Sequence, residues 1–182
     1  MKRRNLLLAA LMIAGASMAP IQDVQAASAA ELEASANTAL EALRRDVPGA
    51  GELMEKAKGV LVFPNIVKAG LGVGGQFGEG VLRKGGSTAG YYNTVAASIG
   101  WQIGAQSFSQ VMLFMTDDAL AYLDRTEGFE VGADISAVVA NEGIGADLTS
   151  SQLQPIIAYV FGQQGLMAGI SLEGSKITKI DK

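Results

Sequence analysis

The chain has 182 residues, enough for one domain with its own core, and sets 14 Lys+Arg against 18 Asp+Glu for a net charge of −4. It contains no cysteine and no histidine. That excludes disulfides, thiolate chemistry and a lipidated N-terminal cysteine, and it removes the commonest acid–base group and transition-metal ligand.

Met1 to Ala26 reads as a secretory signal peptide. Lys2, Arg3 and Arg4 precede an apolar run from Leu6 to Ala14, and Val24-Gln25-Ala26 places small residues before a cleavage point. The run is too short to span a bilayer comfortably. The expected location is therefore periplasmic or secreted, with possible peripheral attachment to an envelope membrane. Cleavage removes Lys2, Arg3, Arg4 and Asp23, which shifts the net charge from −4 to −6. So acidic a domain is a poor general binder of nucleic acid.

Residues 27–48 form a helical segment. Ser28 and Glu31 have capping-box spacing, and Leu32, Ala36, Ala39, Leu40, Leu43 and Val47 recur at helical intervals. Arg44 and Arg45 suit the carbonyl end, and Pro48-Gly49 stops the helix. A short second helix is expected over 52–58. From Gly59 the period changes to alternation, with strands at 59–63, 69–83 and 89–105, a turn at Lys84-Gly85-Gly86-Ser87, and a continuation from Phe108 to Met115. Thr116-Asp117-Asp118 caps a helix over 117–125. Strands follow at 129–140 and 156–161, and the tail turns at Gly174-Ser175. The expected class is α+β, with N-terminal helices packed on a large, curled or barrel-like antiparallel β-sheet.

The stretch KAGLGVGGQFGEGVL, Lys68 to Leu82, puts Gly70, Gly72, Gly74, Gly78 and Gly80 on one face, interrupted by Gln76. A bare glycine face needs something lying against it. Gly70 to Gly75 satisfies G-x-G-x-x-G, but no helical pattern follows and no acidic residue stands about 20 positions on, so nucleotide is rejected. The remaining occupants are another backbone, a ring from Phe77, Tyr91, Tyr92 or Trp101, or a lipid.

Catalysis finds no support. A Ser-His pair cannot exist, G-x-S-x-G is absent, and Asp117-Asp118 and Glu127/Glu130 are explained by helix capping and solvation. No enzyme, metal or cofactor is expected. Cations concentrate at Lys56, Lys58, Lys68, Arg83 and Lys84, where they could hold a lipid phosphate or simply form a solvated rim.

Four ordered blocks carry a family resemblance: AKGVLVFPNIVKAGLGVGGQFGEGVL, GYYNTVAASIGWQIGAQSFSQVMLFM, GFEVGAD and FGQQGLMAGISLEGSKITKI. Together they resemble the SYLF domain from about Gly49 to Ile180, giving the domain bounds 49–182. The resemblance implies a phospholipid-binding domain. Eukaryotic members bind phosphoinositides, in part through an N-terminal amphipathic helix and basic residues, and some regulate actin. The expected function is non-enzymatic binding of an anionic phospholipid in a bacterial envelope, at Lys56, Lys58, Lys68, Arg83 and Lys84. The alternative is a structural or interaction protein of the envelope that binds a protein partner.

Overall fold

Ser28 opens the first helix through a reciprocal cap. Its hydroxyl accepts the Glu31 N–H at 3.3 Å, and the Glu31 carboxylate accepts the Ser28 N–H at 2.9 Å. The computed structural model describes residues 27–125, 129–131, 138–141, 155–165 and 174–182, with backbone alone at 71, 72, 98–103, 138–141 and 165. Helix α1 (Ala29–Asp46) ends at Val47. Gly49, in the left-handed region at φ 80°, then turns the chain into α2 (Ala50–Lys56).

Two very long strands follow, β1 (Gly59–Lys84) and β2 (Ser87–Phe114), joined at Gly85 (φ 56°) and Gly86 (φ 82°). Two consecutive positive-φ residues are what a two-residue hairpin requires, so this turn matches its sequence signal. Next come α3 (Asp117–Arg125), β3 (Phe129–Glu130), β4 (Val138–Asn141), β5 (Ile156–Gly165) and β6 (Lys176–Ile180). The sheet order is β3-β6-β2-β5-β4, with β1 along the other edge of β2. β2 pairs with β6 over Tyr91–Val95 and with β5 over Gln106–Phe114. Among the described residues all pairings are antiparallel except β4 with β5, which is parallel. The expected architecture, helices on a curled and mainly antiparallel sheet, is observed.

Several boundaries differ from the sequence reading. α2 lies two residues earlier than 52–58, and β5 extends to Gly165. The strands at 59–63 and 69–83 are one, as are those at 89–105 and from Phe108. The strand expected at 129–140 is described only as β3 and β4, which have different partners. Pro64 does not end a strand; β1 runs through it, with a register shift between Phe63 and Ile66. Among the described residues β1 pairs only with β2, so a missing N–H on the side away from β2 costs little. The Pro64 carbonyl is used by Ser109, whose hydroxyl donates to it at 2.7 Å.

Alternation along the strands builds two cores. Leu61, Phe63, Phe108, Met112, Ile156 and Val160 point into the concave interior, joined there by Leu123 of α3 and by Phe129. Their neighbours Val62, Val111, Leu113, Ile157 and Tyr159 point outward and are covered by Leu32, Ala36, Ala39 and Leu43 of α1 and by Leu53 of α2.

Tyr92 lies in the interior, and its phenol is pushed up to about 12 by burial and by the nearby Asp124 charge. A phenol whose pKa is raised on folding stabilises the fold below its unfolded value near 10. That contribution is lost as pH rises through the folded value near 12. Tyr92→Phe is therefore expected to remove up to roughly 2 to 3 kcal/mol of alkaline destabilisation. Urea midpoints of both proteins on either side of that window check it.

Candidate functional site

The glycine face is occupied by the protein itself. A Cβ on Gly80 would lie 2.5 Å from Phe63 Cδ1 and 2.6 Å from the Val62 carbonyl oxygen. On Gly78 it would lie 2.7 Å from Ile66 Cγ1 and 3.0 Å from the Asn65 carbonyl oxygen, and on Gly70 it would lie 2.7 Å from Gly74 Cα. β1 thus folds back on itself, and its two arms meet at backbone contact. Among the described residues the ring against the glycine face is Phe63, at Gly80, and not Phe77, Tyr91 or Tyr92. Tyr92 lies elsewhere in the interior, Tyr91 faces α1, Phe77 points away, and the Trp101 side chain lies outside the described residues.

Closing on the glycines turns the larger side chains outward. Val73 is 69% exposed, Phe77 50%, and Val67 and Val95 46% each. All belong to the face away from the glycines, and Phe77 stands directly opposite Val95, which is in turn opposite Lys176 of β6. Gly75 and Ala97 extend this row toward the bend. Helix α1 covers the same face only farther along, where Val81 and Tyr91 pack. Between the covered and open parts, Lys182 Nζ pairs with Glu79 at 2.9 Å and also donates to the Ala27 carbonyl at 2.6 Å. This ion pair is well buried and fastens the end of the chain beside the start of α1. An apolar ribbon is thereby left open at the bend of the hairpin.

The five cations singled out in the sequence fall on several surfaces. Lys58 Nζ lies 3.7 Å from the Asp117 carboxylate and Lys84 Nζ 2.6 Å from that of Asp124, so two of them face α3. Arg83 donates through Nη2 to Asn37 Oδ1 at 2.9 Å, and with Arg44 and Glu55 it lines a cleft of about 390 Å³ between the helices and the hairpin turn. Lys56 is exposed in the last turn of α2. Lys68 is nearly buried, on the concave side opposite Gln106. Beside Arg83, Glu33 accepts hydrogen bonds from the Tyr91 hydroxyl at 2.6 Å and the Thr88 hydroxyl at 3.1 Å. These bonds, the Tyr91 one foremost, hold its carboxyl below the usual range and raise the Tyr91 phenol.

Sequence reasoning missed Arg44 in the cleft and the exposure of Val67, Val73, Phe77 and Val95. The alternation signal was present, but a large apolar face normally turns inward. Among the described residues, no cluster of three or more acidic side chains could hold a metal ion, and no helix is long and apolar enough to cross a membrane.

Residues 95–182 match the family model described as Ysc84, Las17-binding protein actin regulator. No curated protein matches the chain. The match begins within β2 and takes in every later element, while β1 supplies the other arm of the same hairpin. This match over residues 95–182 is to the family of the SYLF domain, in agreement with the resemblance carried by the four sequence blocks.

Proposed function

We propose that this protein is a non-enzymatic, peripheral phospholipid-binding module of a bacterial envelope, and that it inserts the ribbon of Val67, Val73, Phe77 and Val95 among lipid acyl chains. The observation that carries this reading is the position of those four side chains. They lie on one face of one bend, where none of the described helices covers them. Interfacial binding scales with buried apolar area, and anionic lipid adds attraction where cations flank that area. Lys176, exposed in the row of Phe77 and Val95, is such a cation. The acidic balance of the chain makes charge the weaker term, so apolar insertion leads. The signal peptide read in residues 1–26 supports export to the periplasm.

The test is flotation of residues 27–182 with neutral phosphatidylcholine vesicles and with vesicles containing phosphatidylglycerol, at low and moderate salt. Val73→Thr together with Phe77→Thr keeps strand propensity while removing apolar surface. Each half-exposed side chain is worth about 1 kcal/mol of insertion, so the pair is expected to weaken binding about tenfold or more, with little change in melting temperature. Wild-type protein that fails to float, or a double variant that floats equally well, overturns the reading. The family description names a protein partner, Las17, for its members. Co-purification of one stoichiometric protein with wild type and not with the double variant, in the absence of lipid binding, would assign the ribbon to a protein partner instead.

A further inference from the structure

Helices α1 and α2 and the turn of the long hairpin enclose the cleft of about 390 Å³ that Arg44 and Arg83 line. Its floor is apolar. Met54 is buried there, and Leu40, Ala57 and Val60 are half-buried against the core beneath the helices. Its rim carries both signs of charge. Arg44, in the last turn of α1, and Glu55, near the end of α2, are exposed. Arg83 of β1 is half-buried and held by its Nη2 bond to Asn37, while its Nε is shielded from solvent and has no partner. Gly85 and Gly86 bound the cleft at the turn. A Cβ on either would meet nothing within 4 Å, so no other part of the described chain crowds that side.

The three charges share one cleft and leave one another alone. Among the described residues, neither guanidinium has a carboxylate at ion-pair distance, and Glu55 has no cation there. Glu33 acts on Arg83 only from farther away, because the Tyr91 and Thr88 hydroxyls take its carboxylate. The space between the charges therefore suits a molecule that carries both signs on an apolar body. A carboxylate is the natural partner of a guanidinium, whose fixed fork of N–H donors matches its two oxygens. Glu55 then faces an ammonium, and the floor takes the apolar part. A phosphate dianion fits less well, since Glu55 repels its second charge and the floor offers it no polar group.

We propose that this cleft binds a small apolar zwitterion with a carboxylate, namely an apolar α-amino acid or a short peptide of such residues. Arg44 and Arg83 hold the carboxylate, Glu55 holds the ammonium, and Leu40, Met54, Ala57 and Val60 receive the side chain. The site lies at the turn of the hairpin, away from the apolar ribbon at its bend, and does not depend on vesicle binding. A free amino acid and a dipeptide share this chemistry and differ in how far apart their charges stand.

The experiment is isothermal titration calorimetry of residues 27–182 without vesicles. The probes are L-leucine, L-leucyl-L-leucine, N-acetyl-L-leucine, L-leucinamide and O-phosphoethanolamine. Saturable binding of leucine or of the dipeptide is expected, with N-acetyl-L-leucine and L-leucinamide each weaker than leucine by about fivefold or more. Arg44→Gln changes an exposed side chain, so it is expected to keep the melting temperature and to weaken binding about tenfold or more. Glu55→Gln is expected to weaken the zwitterion about fivefold while leaving N-acetyl-L-leucine, which has no ammonium, unchanged. Binding of leucine supports the proposal with a free amino acid as occupant, and binding of the dipeptide alone supports it with a peptide. Stronger binding of O-phosphoethanolamine than of either overturns the carboxylate assignment, as does L-leucinamide binding as well as leucine. N-acetyl-L-leucine binding as well as leucine overturns the zwitterion. Binding of neither leucine nor the dipeptide overturns the site, and so does equal binding by wild type and a folded Arg44→Gln protein.

Discussion

Gly80→Val is expected to lose about 3 kcal/mol or more of stability, while Gly75→Ala gains about 0.5 kcal/mol, both read from urea unfolding. The two glycines sit five residues apart in β1 and differ in what lies against them. At Gly80 a Cβ would be 2.6 Å from the Val62 carbonyl oxygen and 2.5 Å from the Phe63 ring. The carbonyl belongs to the other arm of the same strand, so relief requires the arms to separate and the interior around Phe63, Leu61 and Leu82 to open. At Gly75 the nearest atom to a Cβ is the Ala96 carbonyl oxygen at 3.7 Å, an ordinary contact. Its φ is not positive, so alanine is unstrained there and chiefly reduces the freedom of the unfolded chain. A general dislike of glycine in strands would make both substitutions stabilising. Equal and small effects at the two sites would therefore sink the account of a strand folded onto its own glycines.

That fold-back explains why some of the structure was legible in the sequence and some was not. Ser28 with Glu31, Gly49 after Pro48, and Gly85-Gly86 are local signals whose physics is complete within a few residues, and each sits where its pattern required. The alternation from Gly59 onward correctly indicated strands with one small and one large face. It did not show which face turns inward, because that depends on Phe63 and Ile66 meeting Gly80 and Gly78 across the bend. The usual rule that the larger face is buried therefore fails at Val73, Phe77 and Val95. The candidate cations suffered from the same gap. Lys56, Lys58, Lys68, Arg83 and Lys84 are near in sequence, yet alternate strand residues point to opposite sides. Asp117 and Asp124 of α3, which meet Lys58 and Lys84, come from a segment whose approach no local pattern encodes.

Leu43→Ala is expected to cost about 2 to 5 kcal/mol while leaving the vesicle affinity of the folded protein unchanged. Leu43 is fully buried, and with Leu32, Ala36 and Ala39 it forms the stripe of α1 that lies over Val62, Val81, Val111, Leu113 and Tyr159. The family resemblance implies that eukaryotic members use an amphipathic N-terminal helix on membranes. In this chain the apolar stripe of the helix is already occupied by the sheet. To reach a bilayer with that stripe, α1 would have to leave, exposing those five sheet side chains. The Lys182 bond to the Ala27 carbonyl and the Arg83 bond to Asn37 would break as well. Detachment therefore costs far more than inserting side chains that already face solvent at Val73 and Phe77. Urea unfolding and flotation on the same preparation, at a temperature where both proteins are folded, separate the two roles. A Leu43→Ala protein that keeps its stability but loses vesicle binding would transfer the membrane contact from the hairpin bend to α1.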